Sequence, residues 1–189
     1  MGCCEVDAFS VVLMYVNLGL EHIMTGYDHL LFLLALILIS KQFADVLKIV
    51  TAFTVAHSIT LFLASMEWIP VYPKWAEAGI ALTICYVAAE NLFVKTLKWR
   101  WTLPFCFGLI HGLGFALSIS EIGFDKTYLV TSLLSFNAGI ELGQLAVVGI
   151  ALPLLAKLRS NERTYAAFFR VASGCIFLIG AYWFVQRVV

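Results

Sequence analysis

Four histidines, His22, His29, His57 and His111, stand in stretches whose neighbours are mostly leucine, isoleucine, phenylalanine and alanine. A neutral imidazole has one nitrogen that donates and one that accepts, and it is the commonest side-chain ligand for transition metals. On a helix His22, Gly26 and His29 fall at i, i+4 and i+7, so two imidazoles share a face with a gap between them. Asp28 sits beside that face. A carboxylate there can bind a metal, fix the tautomer of a ligating histidine, or cap a helix and pair with the ring.

The other polar groups repeat the pattern. His57 lies within Thr54-Val-Ala-His57-Ser58-Ile-Thr60, a polar stripe in which the hydroxyls can also bond carbonyls of their own helix. His111 lies within Gly108-Leu-Ile-His111-Gly112-Leu-Gly114, where missing side chains let another backbone or an ion come close. Asn137, Glu141 and Gln144 recur at i, i+4 and i+7 and present three oxygen-bearing side chains on one face. Glu90 and Asn91 close one apolar run, and Glu77 opens it, where a carboxylate suits a helix N-terminus. For each group the competing reading is a hydrogen-bonded contact between helices. Against it stands a cost of roughly 2.5 to 3.5 kcal/mol for an ionisable group at the centre of a spanning helix.

The elements that must position these groups follow from composition. The chain has 189 residues, 62% of them hydrophobic and 13% charged, which places it outside soluble domains and predicts an integral membrane protein. Zero formal net charge and the lack of a basic block remove the electrostatic footprint of a nucleic-acid binder. Cys85, Cys106 and Cys175 are scattered in apolar runs and read as small core residues. Met1-Gly2-Cys3-Cys4 faintly resembles an acylation signal but fits myristoylation poorly, since Val6 stands where Ser or Thr is expected, and palmitoylation stays open. Apolar runs predict helices over about 8–24, 28–40, 46–66, 76–94, 102–120, 127–156 and 164–186. The fold expected is all-α, a polytopic transmembrane bundle of 6–7 helices, with a short or broken first hairpin at Gly26 and a single transmembrane domain over 1–189. Gly108-x3-Gly112 and Gly139-x3-Gly143 predict close helix contacts.

Nine basic residues (Lys41, Lys48, Lys95, Lys98, Arg100, Lys157, Arg159, Arg163 and Arg170) fall on one side, and three (Lys74, Lys126 and Arg187) on the other. The positive-inside rule then puts the 41–48, 95–101 and 157–163 loops in the cytoplasm. Trp68, Tyr72 and Trp75, and on the inner side Trp99 and Trp101, occupy interfacial positions. On this topology His22, Asp28 and His29 are expected toward the outer face, His57, His111 and Glu141 near mid-membrane, and Glu90 and Asn91 toward the cytoplasm. Nitrogen and oxygen ligands without a thiolate cluster suit a borderline divalent ion such as nickel, cobalt or zinc.

His22-x5-Asp28-His29, followed by His57 and by His111-Gly112-x-Gly114, resembles the HupE/UreJ family of bacterial membrane proteins. The wider pattern, with Thr51-Ala-Phe-Thr54, Glu90-Asn91 and Phe136-Asn137-x3-Glu141-x2-Gln144, is similar to its second, UreJ-like branch over about residues 18–148. Ile23 follows His22 where HupE-type members commonly have proline. The resemblance implies a nickel or related metal permease of the bacterial inner membrane, with His22, Asp28 and His29 as metal-binding residues.

The expected function is a permease or channel for a divalent transition-metal ion, Ni2+ or Zn2+ among the candidates. His22, Asp28, His29, His57, His111 and Glu141 are the metal residues, and Thr54, Ser58, Glu90, Asn91, Asn137 and Gln144 line the pathway or support the ligands. The expected partners are the lipid bilayer, the ion, and a homo-oligomer or an extracytoplasmic protein. The alternative is an intramembrane zinc-dependent hydrolase or acyltransferase using the same residues, with Asp28, Glu141 or Ser58 as acid, base or nucleophile. A permease is expected to spread its ligands along the membrane normal, and an enzyme to gather them in one cluster. A third reading, an accessory subunit whose histidines bridge helices, predicts no bound metal.

Overall fold

A computed structural model describes residues 8–40, 42–93, 101–122 and 128–189. Cys3, Cys4, Lys41, Lys95, Lys98, Trp99, Arg100 and Lys126, which enter the acylation reading, the charge count and the inner aromatic belt, lie outside them.

Every described element of more than one turn is a helix: α1 (Ala8–Thr25), α2 (Tyr27–Ile39), α3 (Phe43–Ser65), α4 (Pro73–Phe93), α5 (Thr102–Ile122), α6 (Leu129–Arg159) and α7 (Glu162–Val188). In hydrocarbon every backbone polar group must be satisfied within its own segment, and leucine- and alanine-rich runs do this as helices. Pro73 opens α4 at the position where a missing N–H costs nothing. The bundle is all-α, and α1, α3, α4, α6 and α7 are each long and apolar enough to cross a bilayer. Leu13, Val55, Ile59, Leu82, Leu134, Ile150, Leu154, Val171 and Leu178 lie exposed on its outside, an arrangement that suits lipid rather than water.

The break at Gly26 is present, with φ −75° and ψ 86° between α1 and α2. The two pieces follow one another along α6. A Cβ on Gly139 would run into the Val16 carbonyl, and one on Gly143 into Ile23, so sequence number rises in the same direction on α1 and α6. Further along, Arg159 at the end of α6 donates from Nη2 to the carbonyls of Leu38 (3.0 Å) and Ser40 (2.6 Å) at the end of α2. Tyr165 also donates to the Leu38 carbonyl, and Asn91 Nδ2 donates to that of Ala35 at 2.8 Å. These donors satisfy carbonyls that a helix end leaves open. Together α1 and α2 make one interrupted crossing, which runs from the outer side to the cytoplasmic side if the basic loops are inside. The start of α1 is then on the outer side, together with the end of α7.

Two apolar clusters flank the break. One gathers Phe32, Leu33, Ile37, Val46, Ile49, Val50, Phe53, Val87 and Val148 around α2. The other gathers Val11, Tyr15, Ile23, Leu61, Leu133, Phe136 and Ile140 around α1. Close approach of the supporting helices depends on the small-residue spacings. On α5, a Cβ at Gly108 would meet the Phe53 carbonyl, and one at Gly112 would meet Thr60 Oγ1 and the His57 carbonyl. That contact brings α5 against α3 at the height of both their histidines.

Candidate metal centre

The four histidines meet in one place. His22 closes α1, His29 opens α2 across the Gly26 break, His57 is midway along α3, and His111 is midway along α5. One ring nitrogen from each of His22, His29 and His57 comes within 4.8 Å of the others. The His111 ring lies 4.9 Å from that of His29 and borders the group. The expected division into an outer pair and a mid-membrane pair is therefore not what the fold builds. The Gly26 break turns His22 and His29 toward α3, so both stand beside His57 in one cluster. By helix rise His57 is ~12 Å from the Ser65 end of α3 and ~21 Å from its Phe43 end.

Hydrogen bonds assign the free electron pairs. His29 Nδ1 pairs with Asp28 Oδ1 at 2.9 Å, and the same oxygen accepts the His29 backbone N–H at 2.8 Å. Asp28 thus both caps the first turn of α2 and orients the ring. His57 Nδ1 stands 3.3 Å from Asn137 Oδ1, and Asn137 Nδ2 donates to the Leu133 carbonyl at 2.7 Å, which fixes the amide. Thr83 donates to the Ile80 carbonyl at 2.7 Å, so at the 2.9 Å contact with His111 Nε2 its oxygen accepts. An ionised carboxylate, an amide oxygen and a committed hydroxyl all require the imidazole to donate. The remaining nitrogens, His29 Nε2, His57 Nε2 and His111 Nδ1, are then lone pairs. These three and His22 Nε2 are buried without a hydrogen-bond partner.

Such atoms are rare in a folded interior because each forfeits its hydration for nothing. Phenylalanines pack around the rings. Phe115 lies 3.9 Å from the His22 ring and stacks on Phe136 at 4.5 Å, and Phe53 stands 5.1 Å from His111 and 6.1 Å from His57. Phe32 completes the floor, 5.0 Å from His111. Three imidazole nitrogens within 4.8 Å of one another, with the His111 ring beside them, are a donor set that a cation accepting nitrogen ligands can use. Closing the three onto a tetrahedral ion with bonds of roughly 2.0–2.1 Å asks only for small side-chain movement.

The other expected residues divide. Thr54 donates to Gln144 Oε1 at 3.0 Å and Thr51 donates to Glu141 Oε1 at 2.7 Å, so a polar seam between α3 and α6 continues from Asn137 toward the start of α3. Glu141 belongs to this seam and not to the group of three nitrogens. Ser58 turns its hydroxyl to the Thr54 carbonyl at 2.7 Å. Asn91 clamps α4 to α2 through Ala35, and Glu90 is half-buried beside it, ~10 Å further along α4 than Thr83 by helix rise. Residue spacing did not point to Thr83 or the phenylalanines. A signal existed, since Phe32, Phe53 and Phe115 each stand three or four residues from a histidine on the same helix.

Fold and centre together define a multi-pass membrane protein with a cluster of histidine nitrogens inside its helical bundle. The family model described as HupE / UreJ protein matches residues 4–187, nearly the whole chain, and the protein belongs to that family. Neither the curated proteins nor the solved structures include a match to this chain.

Proposed function

We propose that this protein is a permease that carries a divalent transition-metal ion into the cell across the bacterial inner membrane, the whole chain acting as one transmembrane unit. The observation that carries the reading is the set of four buried imidazole nitrogens without partners, three of them on rings whose other nitrogen is already held. Neutral imidazoles beside a carboxylate suit nickel, cobalt or zinc. His22, His29 and His57 take the ion, with His111 beside them. Asp28, Asn137 and Thr83 orient the rings, as the outer partners of metal-bound histidines do. Onward movement uses the seam of Gln144, Thr51 and Glu141, whose oxygens offer hard ligands to an ion leaving the nitrogens.

Convergence of all four histidines favours the second reading, an intramembrane zinc hydrolase or acyltransferase. A cavity of about 280 Å³ between α3 and α6, lined by Ile59, Phe62, Leu133 and Leu134 with Ser58 and Asn137, has the lining an acyl chain would need. Against it, the residues that would serve as nucleophile or base are engaged elsewhere: Ser58 with Thr54, Glu141 with Thr51, and Asp28 with His29. Transport is therefore the better supported of the two.

Uptake of Ni2+, Co2+ and Zn2+ into proteoliposomes, followed with an internal chelating dye, tests the reading. Wild-type protein is expected to move at least one of the ions and the His29→Ala, His57→Ala double variant none. Equal and negligible flux in both would remove transport. Zinc bound without flux, together with release of fatty acid from lipid, would establish the enzyme instead.

A further inference from the structure

The end of α7 reaches the centre from outside. Arg187, in the last turn of α7, places Nη2 3.8 Å from Asp28 Oδ2 and Nε 3.6 Å from Glu77 Oε2. Its Nη1 donates to the Glu77 carbonyl at 3.0 Å, and the guanidinium lies 5.7 Å from the centre of the Trp183 ring. The head group is therefore fixed by two contacts on α4 and one ring on its own helix, with its remaining edge turned to α2. Exposure falls stepwise along this line, from 52% for the Glu77 side chain through 24% for Arg187 and 21% for Asp28 to 5% for His29. Along this line of contacts toward the buried nitrogens, a positive charge stands next to Asp28.

Asp28 divides its two oxygens between opposite duties. Oδ1 holds the His29 ring, and Oδ2 faces the guanidinium. A divalent ion arriving at His29 therefore meets a carboxylate whose charge is already offset by Arg187. We propose that Arg187 sets the affinity of the centre by competing with the incoming ion for the negative charge of Asp28, and that the guanidinium moves off Asp28 when the ion enters. Arginine suits the task because it stays charged at any relevant pH and its planar fork can keep Glu77 while releasing Asp28. The inference rests on the metal centre proposed above.

Titration of the purified full-length protein in detergent with Co2+, read by visible absorption, tests it. Arg187→Gln is expected to bind Co2+ on the order of tenfold or more tightly than wild type, since a unit charge a few ångströms from a divalent ion in a partly buried site is removed. Arg187→Lys keeps the charge and is expected to stay within about threefold of wild type. Unchanged or weaker binding by Arg187→Gln overturns the inference while leaving the centre intact. Equal tightening in the lysine variant overturns it as well, because charge is then not the cause. A wild-type protein that binds no Co2+ overturns both the centre and the role of Arg187. Thermal unfolding of the metal-free variants, expected to match wild type, separates the charge effect from loss of fold.

Discussion

Thr83 on α4 accepts the Nε2 proton of His111 on α5 at 2.9 Å because its own proton is committed to the Ile80 carbonyl at 2.7 Å. A threonine that merely bonds back to its own helix thereby acquires a direction, and that direction puts the His111 proton on Nε2 and leaves Nδ1 as the lone pair. Thr83→Val removes the acceptor and frees the ring to take either tautomer. Co2+ affinity is expected to fall about 10- to 100-fold, the usual effect of losing a group that orients a ligating histidine. Thr83→Ser, which keeps the oxygen, is expected to bind as wild type does. Equal affinity in the valine variant would show that His111 takes no part in binding.

Asn137 plays the same part for His57, through the 3.3 Å contact to Nδ1. Asn137→Leu preserves bulk and removes the oxygen. The expected result is again a loss of about 10- to 100-fold in affinity, with unfolding in detergent shifted by only about 1 kcal/mol for one lost neutral hydrogen bond. Isothermal titration and thermal unfolding on the same preparation read the two effects separately. A large loss of stability with unchanged affinity would make Asn137 a helix contact and nothing more.

The histidines, Asp28 and the break at Gly26 could be read in the sequence because each violates what lipid demands: a polar ring, a carboxylate and a helix interruption inside apolar runs. Helix periods could be read for the same reason. Convergence could not. Residue spacing within α1 or α2 does not say which helices the break faces, and only packing of α1 and α2 along α6, and of α5 against α3, brings the rings together. Thr83 escaped notice since a lone threonine in a spanning helix usually bonds its own backbone, as this one also does. The phenylalanines were hidden by abundance, 15 in the chain, so that four around the centre raise no contrast.

Gly112 is the residue on which the α3–α5 contact depends, since a side chain there would strike Thr60 Oγ1 and the His57 carbonyl. Gly112→Val is expected to destabilise the protein by about 1–3 kcal/mol through overpacking and to abolish metal binding by separating His57 from His111. Gly149→Ala supplies the contrast, because no atom lies within 4 Å of a Cβ at that position. It is expected to be neutral or to stabilise α6 by up to about 1 kcal/mol, the helix-propensity gain of alanine over glycine. Thermal unfolding of both variants checks the pair, and similar losses in the two would mean that helix propensity, not close approach, governs these glycines.

Glu141 separates holding an ion from passing it on. Its carboxylate accepts from Thr51 at 2.7 Å, and Thr51 lies ~9 Å inward of His57 by helix rise, too far to ligate an ion held by the imidazole. On α3, Thr54 lies between His57 and Thr51 and bonds Gln144 at 3.0 Å. If the seam is the route, Glu141→Gln removes the only negative charge on it and raises the barrier for a divalent ion without touching the nitrogens. Flux into proteoliposomes is then expected to fall tenfold or more, while Co2+ affinity stays within about threefold of wild type, since charges this far apart interact weakly. A variant with full flux would show that the ion leaves by another way. One with lowered affinity in proportion to its flux would place the carboxylate at the centre itself, as the spacing of Asn137 and Glu141 first suggested.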